Sequence, residues 1–274
     1  MNLSTPKPKL LVTGASGFLG WNLCQVAAPD WEIVGTHLSR PATIFGTTMQ
    51  INLLDWQELK HLFQTIQPDA VVHLAAQANL NRCQDDPKTS QQLNVTLAGE
   101  IAQLCADRAI PLAFSSTDQV FDGLQPPYPE TAPVSPVNVY GEQKAQAEIE
   151  VLNRYPEAAV CRMPLMFGAV PPTASSFLQP FIQTLRAGQE LNLFVDEIRT
   201  PVSGTTAAQG LLLALQRVQG LIHLGGKEPI SRYEFGKLMV EVLSLPSASI
   251  RPCHQRDVKM SAPRPPDVSL DSSR

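Results

Sequence analysis

The sequence predicts an α/β fold built on a doubly wound parallel sheet with helices on both faces. Short β-rich runs alternate with longer amphipathic runs from residue 9 onward. The β-rich runs are apolar at nearly every position, which is typical of strands that are buried on both faces of a parallel sheet.

The segments follow one another in a regular order over the first 116 residues. Each strand leads into a helix that returns the chain to the same edge of the sheet, as parallel pairing requires. The predicted segments are a strand at 9–13 (KLLVT), a helix over 18–28, a strand at 31–36 (WEIVGT), a helix over 55–65, a strand at 70–76 (AVVHLAA), a helix over 89–107 and a strand at 111–116 (PLAFSS).

The regular alternation of strands and helices ends after residue 123, where a proline-rich loop precedes a helix that should begin near Val139. A strand at 158–163 (AAVCRM) follows, and then a looser region with helices near 177–187 and 205–218 and a strand at 221–224 (LIHL). We therefore expect a main domain over 1–163 and a smaller C-terminal lobe over 164–274, from which a strand and a helix return to the main domain. The tail, SAPRPPDVSLDSSR, has no periodicity.

Composition narrows the range of partners. The formal net charge is −4, the sequence pI is about 5.7, and no Lys/Arg-rich block is present, which argues against a nucleic-acid or membrane partner and favours a small molecule. The longest purely apolar run, LLLAL, is too short to span a bilayer. The five cysteines lie far apart without a C-x-x-C pair, so we expect reduced, mostly packed thiols and a cytoplasmic protein, and no metal site.

A glycine-rich motif, TGASGFLG at 13–20, follows the first strand and opens the first helix. Gly14 permits a tight turn, Gly17 allows the backbone to approach a diphosphate, and Gly20 lets the helix pack against the strand. The helix N-terminus then offers free N–H groups to the anion. An ordinary glycine-rich turn is the alternative, but this position favours a Rossmann-type nucleotide site. Its expected cofactor contacts are Gly14, Ser16, Gly17, Phe18, Leu19 and Gly20.

The end of the second strand bears on the choice between NADP and NAD. An NAD-binding protein usually carries an acidic residue there for the ribose 2′-hydroxyl, but this sequence reads THLSR. Arg40, 20 residues past Gly20, could accommodate a 2′-phosphate or could be a solvated loop residue. We therefore expect NADP as the preferred cofactor, with NAD as the alternative.

Three residues suggest reaction chemistry. Tyr140 and Lys144 lie four residues apart at the start of a predicted helix and so share one face. A lysine ammonium beside a phenol would favour the phenolate and lower its pKa, which would make Tyr140 a proton donor or acceptor. Thr117, at the end of the strand that leads into SSTD, would hold a carbonyl oxygen next to that phenol. A surface tyrosine beside a surface lysine is the alternative.

The sequence resembles the extended short-chain dehydrogenase/reductases, through TGASGFLG, HLAA at 73–76 and YGEQK at 140–144. Within them it resembles the dTDP-4-dehydrorhamnose reductase family, through STDQVFDG, the YPETAPVSPVNVYGEQKAQAE stretch, CRMPLMFG and RPPDVSLD. The resemblance covers nearly the whole chain. It implies that Thr117, Tyr140 and Lys144 form a catalytic triad, with Lys144 also touching the nicotinamide ribose.

The resemblance implies further cofactor contacts. They are Asn52 and Leu53 near the adenine, Leu74, Ala75 and Ala76 along the dinucleotide, and Pro164 and Leu165 near the nicotinamide. Many relatives have Asp at the position of Asn52. Asn94 matches a helix asparagine that is usually structural in the family, and relatives continue into a last helix beyond the position of Arg274.

Two positions depart from the family pattern. Gln119 stands where related dehydratases have a glutamate base and the reductases usually have tyrosine; because an amide has no useful pKa, elimination would lose its base while reduction would not. Arg199 replaces a glycine near the sugar, and it could bind a substrate phosphate or form a salt bridge with a neighbour. We expect the substrate contacts to include Thr117, Asp118, Gln119 and Arg199.

Other residues are expected to be structural. His73 and His223 lie in apolar strands and should be packed core histidines with satisfied nitrogens. The acidic face of EQKAQAEIE, residues 142–150, should be a solvated helix side.

The residues together predict an NADPH-dependent reductase of a 4-keto-6-deoxy nucleotide sugar. The sequence also resembles the regulatory β subunit of methionine adenosyltransferase, a member of the same family, so a non-catalytic NADP-binding subunit is the alternative. A nucleotide-sugar epimerase would use the same triad. The identity of the nucleotide sugar and the presence of a homodimer stay open.

Overall fold

The computed structural model describes residues 6–41, 45–171, 174, 176–245 and 250–274. Within these ranges the chain forms an α/β fold around a large parallel sheet, as the sequence predicts. The strands are β1 (Lys9–Thr13), β2 (Glu32–His37), β3 (Thr47–Gln50), β4 (Ala70–His73), β5 (Leu112–Thr117), β6 (Ala159–Met163), β7 (Met166–Phe167), β8 (Leu191–Phe194), β9 (Ile198–Arg199), β10 (Val202–Ser203), β11 (Gly220–His223), β12 (Ile230–Ser231) and β13 (Ile250–Cys253). The helices are α1 (Phe18–Ala27), α2 (Trp56–Ile66), α3 (Leu80–Asp85), α4 (Pro87–Gln91), α5 (Leu97–Ala106), α6 (Val139–Arg154), α7 (Leu178–Arg186), α8 (Gly204–Arg217) and α9 (Arg232–Val242).

The main sheet has seven strands in the order β3-β2-β1-β4-β5-β6-β11. Every neighbouring pair in it is parallel. The strand order reverses direction between β1 and β4, and in open α/β sheets ligands bind at that switch point, outside the carboxyl ends of the strands. This is the Rossmann-type, doubly wound arrangement that the sequence predicts.

Two apolar cores cover the two faces of the sheet. Leu11 on β1 packs with side chains of α2, α5 and α6. Leu10 and Val12, one position away on either side, pack instead with α1 and α8. Because successive side chains of a strand point to opposite faces, a strand covered on both sides must be apolar throughout. This explains why the β-rich runs of the sequence do not alternate.

The predicted helix over 89–107 is interrupted in the structure. It consists of α4, a π-helical turn at Gln92–Thr96, and α5. Asn94 lies in the turn, where its Oδ1 accepts a hydrogen bond from the Gln77 backbone N–H at 2.8 Å and its Nδ2 donates to Gln143 Oε1 at 2.8 Å. These contacts tie α6 to the loop after β4, so Asn94 has a structural position.

The C-terminal part of the chain forms a second, smaller core. Its strand pairs are β7 with β10, β8 with β13, and β9 with β12. Leu185, Leu191, Leu193 and Met239 are buried together there. β11 belongs to the main sheet and α8 packs against it, and the division of the chain at residue 163 stays a prediction. Among the described residues, no helix combines the length and the apolar character that crossing a membrane requires.

The tail after residue 260 is packed, although its sequence shows no periodicity. Leu270 forms an isolated parallel bridge with Tyr128. Val268 and Leu270 are buried in a cluster with Phe121 and Tyr128. The proline-rich loop after β5 and the tail therefore hold each other in place, which the sequence pattern does not reveal. Other described elements are likewise not predicted; they are β3, α3, α9 and the short strands β7, β8, β9, β10, β12 and β13.

The prediction of a solvated face at 142–150 is wrong for three of its polar side chains. Gln143, Lys144 and Glu148 are buried. Glu148 accepts hydrogen bonds from Arg162, through Nε at 2.9 Å and Nη2 at 2.7 Å, and from Ser116 Oγ at 2.5 Å. A carboxylate can be buried when a cation and hydrogen-bond donors satisfy it, and Arg162 is distant in sequence.

The buried Glu148–Arg162 pair gives a stability prediction. Arg162→Met should lower the free energy of unfolding by about 3–5 kcal/mol, because it leaves the Glu148 carboxylate buried without its cation. The matched control is Arg154→Met, which removes only the half-exposed pair with Glu150 at 3.1 Å. It should cost about 0.3–0.5 kcal/mol. Urea denaturation measures both changes, and equal losses would contradict this account.

Candidate active site

The turn between β1 and α1 lies against the end of β4. Gly14 has φ +71°, and a Cβ atom there would lie 2.9 Å from the Ala75 backbone nitrogen. At Gly20 a Cβ atom would collide with the Gly14 carbonyl oxygen. α1 begins at Phe18, and its N-cap, Gly17, provides no side-chain hydrogen bond. The turn therefore leaves room and backbone N–H groups for an anion such as a diphosphate.

Two cavities open on this turn. The first has a volume of about 650 Å³ and extends over the ends of β1 and β2. The second has a volume of about 520 Å³ and extends over the ends of β5 and β6. Gly14, Gly17, Leu74 and Ala76 line both cavities. The two spaces thus adjoin along the carboxyl edge of the sheet, on either side of the glycine turn.

The first cavity brings together most of the residues that were expected near the adenosine half of a dinucleotide. Arg40 is exposed and does not line this cavity. The first cavity is lined instead by Thr36 and His37 of β2, by Leu38 directly after it, and by Arg82 of α3. None of these four was an expected cofactor contact. The expected residues that line it are Gly14, Ser16, Gly17, Asn52, Leu53, Leu74, Ala75 and Ala76.

The hydroxyl of Thr13 organises the end of β4. Thr13 Oγ1 lies 2.6 Å from His73 Nδ1 and accepts hydrogen bonds from the backbone N–H groups of Leu74 at 3.1 Å and Ala75 at 3.3 Å. Burial lowers the pKa of His73 to about 3, and the charge of Lys144 acts in the same direction. His73 Nε2 has no hydrogen-bond partner among the described residues, so the prediction of a satisfied histidine is wrong for this nitrogen.

His223 is the packed and satisfied histidine that the sequence predicts. Its Nδ1 lies 3.1 Å from the Asp271 carbonyl oxygen, and its Nε2 lies 3.4 Å from Arg162 Nη1. The ring therefore links β11 to the tail of the chain. All five cysteines are free, and four of them are buried, which agrees with the prediction of mostly packed thiols.

Side chains of α6 spaced four residues apart face the polar end of β5. We call this set the polar stripe; it contains Tyr140, Lys144 and Glu148 of α6 and Ser115, Ser116 and Thr117 of β5. A spacing of four places side chains on one face of a helix. Glu148, at the far end of the stripe, accepts the Ser116 hydroxyl and the Arg162 guanidinium, which fixes α6 along the strand.

The other end of the polar stripe lies in the second cavity. Lys144 Nζ donates to the Ser115 carbonyl oxygen at 2.6 Å and lies 4.0 Å from the centre of the Phe114 ring. Tyr140 and Thr117 both line this cavity, and they lie close enough for Thr117 to influence the Tyr140 phenol. Two hydroxyl groups therefore lie near each other, beside the carboxyl ends of β5 and β6.

The phenol of Tyr140 is held in its protonated form. Burial raises the pKa of Tyr140 far above that of a free tyrosine, and the carboxylate of Asp118 raises it further, while the hydrogen bond with Thr117 offsets only part of this. The prediction that Lys144 lowers this pKa is therefore wrong. The Lys144 ammonium is directed at the Ser115 carbonyl and the Phe114 ring instead. The Tyr140 phenol therefore carries its proton at neutral pH.

Lys144 itself is close to losing its charge. Burial lowers its pKa to about 7, although the neighbouring Glu148 carboxylate acts in the opposite direction. A lysine that titrates near neutral pH inside a cavity is typical of functional sites.

Asp118 and Gln119 also line the second cavity. Asp118 Oδ1 accepts from Thr117 Oγ1 and from Gln119 Nε2, each at 3.2 Å. Burial raises the pKa of Asp118, and Arg199 offsets part of this rise. Arg199 is buried, with Nε 3.6 Å from Asp118 Oδ2 and Nη2 3.4 Å from Glu197 Oε1. Of the two interpretations of Arg199, the structure thus shows the salt bridge, although the residue also lines the cavity.

The structure gathers every expected site residue except Arg40 around the two cavities. Those that line the second cavity are Gly14, Gly17, Phe18, Leu19, Gly20, Leu74, Ala76, Thr117, Asp118, Gln119, Tyr140, Lys144, Pro164, Leu165 and Arg199. Sequence reasoning missed Glu197, Arg232 and Arg264, which line the same cavity. Arg264 precedes a proline in the unpatterned tail and Arg232 begins an unpredicted helix, so no periodic signal marks them.

The family described as RmlD substrate binding domain matches residues 8–274. Methionine adenosyltransferase 2 subunit beta of Rattus norvegicus is 31% identical over 280 residues, which cover 99% of this chain and 83% of that protein. The probable low-salt glycan biosynthesis reductase Agl14 of Haloferax volcanii is 30% identical over 267 residues, which cover 96% of this chain and 89% of that protein.

Solved structures show the same fold. The crystal structure of a hypothetical dTDP-4-dehydrorhamnose reductase from Sulfolobus tokodaii superposes with a TM-score of 0.87 at 27% identity and covers 97% of this chain and 93% of that one. The dTDP-4-dehydrorhamnose reductase of Bacillus anthracis in complex with NADP gives a TM-score of 0.88 at 20% identity, with coverage of 98% and 92%.

The lowered pKa of Lys144 predicts a pH-dependent stability. Between about pH 7 and the ordinary lysine pKa of 10.5, the unfolded chain keeps a proton on this residue that the folded chain has lost. Stability therefore rises with pH across this window, and wild type should gain about 2 kcal/mol over Lys144→Met between pH 7 and pH 9. Chemical denaturation at both pH values measures this difference. Lys259→Met, at an exposed position, should show none; a pH-independent difference for Lys144→Met would contradict the prediction.

Proposed function

The chain belongs to the RmlD substrate binding domain family, and we propose that it is an NADPH-dependent reductase of the keto group of a 4-keto-6-deoxy nucleotide sugar. The observation that carries this proposal is that the Thr117 and Tyr140 hydroxyls lie together in a cavity that adjoins the glycine turn. That arrangement provides a proton donor beside a place for a dinucleotide.

The residues around the two cavities fit a nicotinamide dinucleotide. The glycine turn would hold its diphosphate, because a side chain at Gly14 or Gly20 would collide with backbone there. The end of β4, which Thr13 fixes, would lie along it, and Pro164 and Leu165 would flank its nicotinamide end. When bound, the cofactor supplies the hydride.

The protein side of the reduction is a proton transfer. Thr117 donates its hydroxyl proton to Asp118 Oδ1 in this structure and would turn it to the substrate oxygen instead. Tyr140 would donate its phenolic proton to that oxygen as negative charge develops on it. The raised pKa of Tyr140 suits this role, because the phenol stays protonated until a strong base forms beside it. Lys144, held at the Ser115 carbonyl oxygen in the same cavity, would contact the nicotinamide ribose.

Gln119 supports reduction over elimination. Elimination of water needs a base, and the amide of Gln119 has no proton to accept or lose near neutral pH. Its Nε2 donates to Asp118 Oδ1 instead, so Gln119 also holds the Asp118 carboxylate in place. Epimerisation uses the same hydroxyl pair as reduction, and the reaction products distinguish the two.

A second candidate function is that of a regulatory subunit which binds a dinucleotide without turnover. The observation in its favour is the identity with methionine adenosyltransferase 2 subunit beta, 30–31% over 98–99% of the chain in the fish and rat proteins. The identity to a reductase-named relative, Agl14, is of the same size. Sequence identity therefore does not separate these two functions.

The reductase proposal is tested by Tyr140→Phe. This variant keeps the ring but removes the proton donor, and it should lower the rate of NADPH oxidation with a 4-keto-6-deoxy nucleotide sugar about 10²- to 10⁴-fold. Absorbance at the nicotinamide band measures the rate, and NADPH binding should persist. Tyr155→Phe, at the C-terminal end of the same helix, is the matched control and should keep activity. A Tyr140→Phe enzyme of full activity would exclude the mechanism, and a wild type inactive on all keto sugars would favour the regulatory subunit.

The preference for NADPH is a separate proposal, in which Arg40 contacts the 2′-phosphate. Arg40→Ala should weaken NADPH binding about 10-fold while leaving NADH binding unchanged, since only NADPH carries the extra phosphate. Fluorescence titration measures both affinities. Arg82→Ala is the comparison, because Arg82 lines the first cavity and Arg40 does not. A loss confined to Arg82→Ala would show that Arg40 does not have this role.

A further inference from the structure

The two positions that depart from the family pattern meet at one side chain. Gln119 and Arg199 lie far apart in the sequence, but both contact the carboxylate of Asp118. Gln119 Nε2 donates to Asp118 Oδ1 at 3.2 Å, and Arg199 Nε lies 3.6 Å from Asp118 Oδ2. All three residues are buried and line the second cavity. The two departures therefore act on the same carboxylate, next to Thr117.

Asp118 has few partners for a buried carboxylate. Burial of such a group is costly unless cations and hydrogen-bond donors surround it. Its Oδ1 accepts from Gln119 Nε2 and from Thr117 Oγ1, whereas its Oδ2 has no hydrogen-bond partner among the described residues. Burial raises the pKa of this carboxyl; the charge of Arg199 opposes the rise most, and the two hydrogen bonds oppose it as well. The carboxylate thus depends on each of its three neighbours.

One of those neighbours is also the group that would hold the substrate. The Thr117 hydroxyl has a single hydrogen, which it gives to Asp118 Oδ1 in this structure. Its oxygen is fixed, because it accepts the Gln119 backbone N–H at 3.2 Å. The hydrogen can rotate about this fixed oxygen and point to the carboxylate or to a substrate oxygen, but not to both. Each turn toward the substrate removes one of the two hydrogen bonds of the Asp118 carboxylate.

Gln119 and Arg199 are fixed by contacts that do not involve the threonine hydroxyl. Asn138 Nδ2 donates to Gln119 Oε1 at 3.5 Å, so Nε2 is the end of the amide that faces Asp118. Arg199 Nη1 and Nη2 each donate to the Pro265 carbonyl oxygen at 3.3 Å. Both side chains are therefore held in place whichever way that hydroxyl points.

We propose that Gln119 and Arg199 are a pair of positioning residues for the Thr117 hydroxyl. They hold the Asp118 carboxylate while that hydroxyl turns its hydrogen to the substrate. The inference rests on the proposed function, which supplies the keto oxygen. Without the Gln119 amide, the hydrogen bond from Thr117 would be the last one on the carboxylate, so the hydroxyl would turn less readily.

Other charged and titratable groups also face Asp118. Arg232 of α9 opposes the rise of its pKa, and Tyr140 of α6 is the phenol whose own pKa Asp118 raises. Glu197 Oε1 lies 3.4 Å from Arg199 Nη2. Among the described residues, the other charged side chains that line this cavity are Lys144 and Arg264. The experiments below leave all of these groups except Arg199 unchanged, and they include a variant that keeps its charge.

The first experiment follows Asp118 without turnover. Nuclear magnetic resonance of the full chain, with isotope-labelled aspartate carboxyl groups, gives the titration midpoint of Asp118, and Asp118→Asn identifies its signal. Thr117→Val removes the hydroxyl and so reproduces the surroundings of the carboxylate after the hydroxyl has turned. Gln119→Met and Arg199→Met are each measured alone and together with Thr117→Val, and Arg199→Lys restores the positive charge. Thermal unfolding shows which variants keep the fold.

The matched control for Gln119 is Gln103→Met. Gln103 Nε2 donates to Asp107 Oδ1 at 2.7 Å at the C-terminal end of α5, and neither residue lines the two cavities. This variant removes the same kind of hydrogen bond at an exposed place. It should leave the titration of Asp118 and the reductase activity unchanged.

In the Thr117→Val background, Gln119→Met should raise the titration midpoint of Asp118 by about 1–2 pH units, the effect of losing a hydrogen bond to a charged group. Arg199→Met should also raise it, and Arg199→Lys should restore most of the loss. An unchanged midpoint in the Gln119→Met double variant would overturn the proposal. So would a wild-type Asp118 that is already protonated at neutral pH.

The second experiment measures NADPH oxidation with a 4-keto-6-deoxy nucleotide sugar as a function of pH. Above the Asp118 midpoint, Gln119→Met should lower kcat about 10-fold with KM nearly unchanged, because the lost contact matters only once the hydroxyl turns. Below the midpoint the neutral carboxyl no longer holds the hydrogen, so the deficit should disappear. An equal deficit at every pH would overturn the positioning role. An inactive wild type would exclude the proposed function instead, and the titration of Asp118 would still decide whether the pair holds the carboxylate.

Discussion

The register of α6 against β5 is the constraint on which the candidate active site depends. Glu148 anchors one end of the polar stripe through a buried ion pair, and two turns of helix then carry Tyr140 to the carboxyl edge of the sheet. At the end of β5, the Ser115 carbonyl oxygen accepts from Lys144 and the Ser116 hydroxyl donates to Glu148. A shift of the strand by one residue would turn Ser116 away from α6 and break its contact with Glu148. The contacts that hold α6 on β5 therefore stabilise the fold and also position Tyr140 and Lys144.

The same contacts explain why so much charge is buried near the cavity. A buried ion pair contributes little net stability, but removing one of its two partners costs several kcal/mol of stability because the other charge stays buried. The chain nevertheless buries Lys144, Asp118 and Arg199 at the edge of the sheet. Burial raises the pKa of Tyr140, so the phenol stays protonated, and it lowers the pKa of Lys144 to about 7, so the ammonium can lose its proton near neutral pH. Such a concentration of perturbed groups is the arrangement expected of a reactive site rather than of a core.

Local pattern in the sequence was enough to predict most of the main sheet and to place the hydroxyl side chains of Thr117 and Tyr140 in one cavity. The buried parallel strands of that sheet are continuous apolar runs, and the described main-sheet strand that does not follow this rule is β3, a short edge strand with partly exposed side chains. Prediction failed where a residue's environment depends on partners distant in sequence. The sequence pattern places Glu148 on a solvated helix face, because it does not show that Arg162 lies beside this residue. The pKa of Tyr140 depends on how deeply its side chain is buried, and the spacing of residues does not show that. Glu197, Arg232 and Arg264 in the second cavity were missed for the same reason, because the two arginines come from an unpredicted helix and an unpatterned tail.

The most direct test of the central claim is a crystal structure of the chain with NADP⁺ and a 4-keto-6-deoxy nucleotide sugar, a pair that cannot react. The account predicts that the keto oxygen lies within about 3 Å of both the Tyr140 and the Thr117 hydroxyl oxygens, since proton donation needs hydrogen-bond contact. A sugar bound outside the second cavity, or a keto oxygen beyond the reach of the Tyr140 phenol, would contradict it.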